Sequence, residues 1–244
     1  MIGYTLEEKV AVIEFQRPEA RNALNPEIMD GLEAAFDRAE ADGVFVIVLT
    51  GQGTVFSAGA DLRSGAVLDK NFMERVIRFY RRVEAMKQIL VAAVNGPAVG
   101  AGVQMAMLAD LRVLDPSATI AIPAAKLGVT IDKWTLRRLE DLVGGGHARG
   151  VLMAAQKIGA EKLLDLGFAN AIGDREAALE FARGVAGLAP LSLQNYKALF
   201  KSDVAVEPLT EAEEARLHAV WDSEDLKEAI MARIEKRDPR FQGR

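Results

Sequence analysis

The sequence predicts an α/β protein whose second half turns helical, on three observations. Short β-branched and apolar runs alternate with stretches that repeat apolar residues every three or four positions up to about residue 130. Beyond residue 131 only the helical spacing persists, which suggests helices packed on an α/β core or reaching a neighbouring subunit. Three glycine-bearing segments, TGQGTVFSAGADL, NGPAVGAGVQ and PAAKLGVTIDKW, each follow a strand-like run.

The elements follow in order. VAVIEF at Val10–Phe15 and FVIVLT at 45–50 read as strands. Between them, Pro26–Ala41 places Ile28, Leu32, Ala35, Phe36 and Ala39 at helical spacing. Asn25 can cap the first free N–H groups, and proline suits a first helical turn. A helix at 71–86, apolar at Phe72, Val76, Phe79, Tyr80 and Val83, leads into a strand at 90–94. A short apolar helix at 103–108 and strands at Leu111–Leu114 and 119–122 come next. After residue 131 the reading is six helices and no strand: 135–142, 148–155, 160–166, 175–188, 191–201 and 211–237, the last broken near Asp222. No low-complexity linker divides the chain.

Composition excludes several functions. Among 244 residues, 30 Lys+Arg against 35 Asp+Glu give −5, which argues against a chain built to grip nucleic acid. With no cysteine, disulfides, thiolate metal sites and cysteine nucleophiles are out. His147 and His218 have no partner suggesting a triad or a metal, so no metal site is expected and both read as structural. The first fifteen residues carry Glu7, Glu8 and Lys9 and lack a basic start followed by an apolar run, so no signal peptide is expected. Nor is there an apolar stretch long enough for a membrane span, and the cytoplasm is the expected compartment.

The glycine segments carry the functional signal. Phe56 stands where a dinucleotide fingerprint needs its third glycine, and no GK[ST] supports a phosphate loop. What remains is strand-end turns whose exposed N–H groups can polarise a carbonyl oxygen, especially at the helix start after Gly100.

RPEARNAL (17–24), FSAGADL (56–62), AAVNGPAVGAGVQMAMLADLRV (92–113), AEKLLDLGFAN (160–170) and EKRDPRFQG near the C-terminus occur in order and at family spacing. In these motifs the chain resembles the enoyl-CoA hydratase/isomerase, or crotonase, superfamily over its whole length. The resemblance implies a crotonase spiral of ββα units over residues 1–190 and a C-terminal helical trimerisation region at 191–244, packing on the core and a neighbour. It implies a homotrimer or dimer of trimers, and a coenzyme A thioester (acyl-CoA or enoyl-CoA) as ligand rather than a permanently bound cofactor. By the same resemblance, the backbone N–H groups of Ala60 and Ala101 form an oxyanion hole, Ala58 contacts the adenine, and Arg21, Arg63 and Lys236 approach the CoA.

Two positions depart from the family's hydratases, which use two glutamates twenty residues apart to activate water and to protonate the α-carbon. Here they are Gln104 and Ala124. An amide cannot accept a proton near neutral pH, and a methyl group offers nothing. Asp132, eight residues after Ala124, stands where dienoyl-CoA isomerases of the family keep a catalytic aspartate, and it equally suits a helix N-cap ahead of KWTLRRL. Met105, Ile131 and Trp134 are the candidate lining of a more apolar acyl end, though Met105 and Trp134 also fit a plain core. Three functions follow as expectations. One is a fatty acyl-CoA binder in lipid metabolism that hands its ligand to fatty-acid synthesis enzymes. The second is an isomerase-type enzyme using Asp132. The third is a weak hydratase in which Gln104 orients water.

Overall fold

The structure is a computed structural model that describes all residues except 8, 66–68, 201–210, 212–217, 219–221, 238 and 240–244. Nine strands are described: β1 (Ile2–Glu7), β2 (Val10–Phe15), β3 (Val46–Gly51), β4 (Ile89–Val94), β5 (Ala98–Val99), β6 (Leu111–Leu114), β7 (Thr119–Ala121), β8 (Ile158–Gly159) and β9 (Ala171–Ile172). The main sheet has the order β1-β2-β3-β4-β6-β9, antiparallel only between β1 and β2. A small second sheet orders β5-β7-β8.

Parallel strands covered on both faces read as continuous apolar runs, and all six residues of β3 and of β4 are buried. The two-residue period of a strand divides them between two cores. Ala11, Ile13, Phe15, Ile47, Leu49, Leu90, Ala92 and Val94 face the larger one, built with helices α1 (Pro26–Ala41), α2 (Lys70–Ala85), α3 (Ala101–Leu108) and α4 (Lys133–Met153). Val10, Val12, Val46, Val48, Ile89, Val91 and Ala93 face the other, closed by Ala178, Leu179, Ala182 and Val185 of a later helix at Arg175–Ala186.

Asn25 caps α1 as expected, its side chain accepting from Ile28 N at 2.8 Å. Helices α1 and α2 run side by side in the same direction. Arg75 bridges Asp30 and Glu33, Arg82 bridges Asp37 and Glu40 one heptad on, and Phe36 meets Phe79 edge-on with centroids 5.2 Å apart. After α4 come α5 (Ala160–Asp165), α6 (Arg175–Ala186), α7 (Pro190–Phe200) and α8 (Glu224–Ile234).

Three readings need correction. The chain after residue 131 does contain strands, β8 and β9, each two residues long and so without readable period. Strand β1 escaped because it is an edge strand whose sequence, IGYTLE, is half exposed. The helices expected at 135–142 and 148–155 form one run, α4, interrupted at Gly144 with φ 76° and ψ 152°. Asp222 lies in a turn and Ser223 caps α8, whereas Lys201 and most of 211–221 lie outside the described residues.

Candidate functional site

The site begins at the turn of residues 17–24. Asn22 is fully buried with φ 55°, accepts from Arg17 N, and donates to Gln52 O and Val55 O at 3.0 and 2.7 Å. Arg17 pairs with Asp61 at 2.6 Å. Burial works against ionisation of Asp61, but the Arg17 hydrogen bond and charge, with the Arg63 N–H, hold its carboxyl below its ordinary range. So braced, the turn pairs with the FSAGADL segment: Leu24 N donates to Gly59 O, Asp61 N to Leu24 O, and Ala58 N to Arg21 O.

The same segment packs directly on NGPAVGAG. Val99 N donates to Ser57 O at 2.9 Å. Glycine is obligatory at the crossing: a Cβ on Gly59, which has φ 85°, would sit 2.4 Å from Val99 O and 3.0 Å from Ala101 N. A Cβ on Gly102 would sit 2.3 Å from Ser57 O. This close approach brings the Ala60 and Ala101 backbones to one place. Neither N–H has an acceptor among the described residues, and Ala101 N opens α3, where the helix dipole favours negative charge.

One turn into α3, Gln104 is buried and its amide is occupied at both ends. Its Oε1 accepts from the Tyr80 hydroxyl at 3.0 Å; its Nε2 donates to Asp132 Oδ2 at 3.1 Å and to Thr135 Oγ1 at 2.5 Å. Asp132 is the N-cap of α4: its Oδ1 accepts from Thr135 N at 2.9 Å and its Oδ2 from Thr135 Oγ1 at 2.5 Å. Burial, reinforced by the Asp132 charge, pushes the Tyr80 phenol well above its ordinary pKa and keeps it a neutral donor.

Around this cluster, Trp134 stacks on Tyr80 at a tilt of 32° with centroids 4.9 Å apart, and its indole N–H donates to Glu84 Oε1 at 2.8 Å. Met105 is fully buried; Ile131, Ala101 and Ala124 are partly buried against the same core. Ala124 opens a 3-10 turn, Ala124–Leu127, on which α8 packs. At its far end α3 is held by carbonyl contacts, Met107 O to Arg138 and Ala109 O to Arg112. Burial and the neighbouring Arg138 charge lower the Arg112 guanidinium to about 9, still protonated at neutral pH.

The structure thus brings Ala58, Ala60, Ala101 and Gln104 together with Asp132 and Trp134, and runs the backbone of Arg21 beside Ala58. Arg21 and Arg63 are exposed, as is Lys236, which follows α8. Among the described residues there is no cluster of His, Asp or Glu fit to hold a metal, and no helix long and apolar enough to cross a membrane. Sequence reasoning missed Tyr80, Glu84 and Thr135; Tyr80 read only as an apolar helix position, although a buried phenol needs a hydrogen-bond partner.

A mostly parallel sheet whose strand-end glycine loops cross at Gly59 and Gly102 sets the Ala60 backbone beside Ala101, the first residue of α3. The chain belongs to the enoyl-CoA hydratase/isomerase family, whose model matches residues 5–244 and whose members act on CoA thioesters. It is 45% identical over 243 residues to a Mycobacterium tuberculosis protein described as a probable enoyl-CoA hydratase, echA6, covering all of both chains. It is 31% identical to the short-chain-enoyl-CoA hydratase of Clostridium acetobutylicum, covering 95% of this chain and 93% of that one. Methylmalonyl-CoA decarboxylase, solved in complex with 2-nitronate-propionyl-CoA, superposes with a TM-score of 0.90 at 25% identity, over 100% of this chain and 98% of that one.

Proposed function

We propose that the protein binds a fatty acyl-CoA thioester and lacks ordinary hydratase chemistry. The thioester oxygen accepts hydrogen bonds from Ala60 N–H and Ala101 N–H, the CoA lies along Ala58 and Arg21 with Arg63 and Lys236 near its phosphates, and the acyl group points toward Met105, Ile131 and Trp134. The observation that carries this reading is the state of the Gln104 amide, engaged by Tyr80, Asp132 and Thr135. Both N–H donors of this amide are spent and its oxygen already accepts from Tyr80; an amide does not deprotonate water near neutral pH, and the methyl of Ala124 offers no second group. The three hydrogen bonds to Asp132 favour its helix-capping role over the isomerase-type reading.

The reading extends to a cytoplasmic protein of lipid metabolism, a homotrimer or dimer of trimers assembled through residues 191–244, that passes acyl groups to fatty-acid synthesis enzymes. Its support is family membership.

Ala101→Pro tests the placement of the thioester. Proline is well suited to a first helical position and removes one N–H donor. Acyl-CoA binding should weaken at least about fivefold, the worth of one hydrogen bond, while free CoA binding persists. Equal binding of acyl-CoA by both proteins would place the thioester elsewhere.

A further inference from the structure

We propose that Glu84 is a positioning residue that sets which acyl chain lengths the site accepts, by pinning the Trp134 indole across the acyl end. The proposal rests on the acyl-CoA reading above and goes beyond it.

Three helices converge there. Tyr80 and Glu84 come from α2, Gln104 and Met105 from α3, and Asp132, Trp134 and Thr135 from the start of α4. Tyr80 and Met105 are 0% exposed and Trp134 only 4%, so on the acyl-CoA reading a chain pointing toward Met105 and Trp134 meets packed side chains. On that reading, an acyl chain long enough to reach them must displace one of them. Tyr80 is fully enclosed and tied to Gln104 at 3.0 Å; Met105 is enclosed on α3. Trp134 is the one near the surface: it is the second residue of α4, and its single N–H donor is spent on partly exposed Glu84 at 2.8 Å. Breaking that bond removes the one polar restraint on the indole, leaving its stacking on Tyr80 and its apolar packing in the core, and so lowers the cost of turning it aside for a chain. With Glu84 in place, each long ligand must first pay for that release, and short ones need not.

The test compares butyryl-CoA and palmitoyl-CoA binding in Glu84→Met, which removes the acceptor at similar size, and Glu84→Gln, which keeps one. Glu84→Ala serves if the methionine variant does not fold. A Trp221→Phe background leaves Trp134 as the only indole emitter. Loss of the acceptor should raise palmitoyl-CoA affinity relative to butyryl-CoA by about fivefold and shift Trp134 emission to the red, with Glu84→Gln behaving as the parent. An unchanged affinity ratio in the acceptor-free variant, with butyryl-CoA still bound, would overturn the role of Glu84 alone. Failure of the parent to bind either ester would overturn the acyl-CoA reading itself, and this proposal with it.

Discussion

The side-chain amide of Gln104 donates to the carboxylate of Asp132 across 3.1 Å. A glutamate at position 104 would therefore face a carboxylate already committed to capping α4. The two positions behave as one unit, and restoring a hydratase residue at the first without changing the second creates a like-charge pair.

Gln104→Glu should destabilise the protein by about 1–3 kcal/mol at neutral pH and leave hydratase turnover absent. The folded-state pKa of the new carboxyl is raised, so the deficit is absent below its unfolded pKa and grows as pH rises toward the folded one. Adding Asp132→Asn should recover most of the loss. Thermal melts of both variants from acid to neutral pH check this, and a deficit independent of pH would contradict it.

Asp132 itself should prove structural. Asp132→Ala removes both the cap and the acceptor for Gln104 and should cost about 2–4 kcal/mol, whereas Asp132→Asn keeps the cap at Thr135 N and loses only the acceptor for Gln104 Nε2, at about 1–2 kcal/mol. Acyl-CoA binding should survive in the asparagine variant. Denaturant unfolding together with ligand titration distinguishes the two substitutions.

The Arg17–Asp61 pair holds the 56–62 segment in register with the turn at 17–24. Because the Asp61 pKa is lowered in the folded state, its contribution is present above the unfolded carboxylate value and is lost as pH falls through the folded one. Arg17→Met should cost about 1.5–3 kcal/mol near neutral pH and flatten the acid limb of the stability profile. Melting temperature against pH for the two proteins tests the sign.

Gly102→Ala forces a methyl to within 2.3 Å of Ser57 O. The loops must part, at a cost of about 1–3 kcal/mol, and the Ala60 and Ala101 donors move with them. Both the melting temperature and acyl-CoA affinity should fall. A stable variant with unchanged affinity would show that the crossing does not position the donors.

How much of this was legible in the sequence depended on burial. Strands β3 and β4 were readable because both faces are covered, and Asn25–Pro26 announced α1 chemically. Half-exposed β1 and two-residue β8 and β9 carry no pattern of their own; their partners in the sheet define them. Motif order located Ala60, Ala101 and Gln104, and the capping chemistry of Asp132 was visible as well. The contacts of Gln104 were not, because they join α2, α3 and α4 over separations of 24, 28 and 31 residues. Polar tips on otherwise apolar helix faces, as at Tyr80 and Trp134, read as core until the facing helix is known.

On this reading the protein holds a CoA thioester without turning it over. The most direct test is mass spectrometry of short- and long-chain 2-enoyl-CoA, and of their 3-enoyl isomers, incubated with purified protein in deuterated water, with binding measured in the same samples. The ester should be bound and recovered unchanged. Addition of water, deuterium uptake or migration of the double bond would contradict this reading.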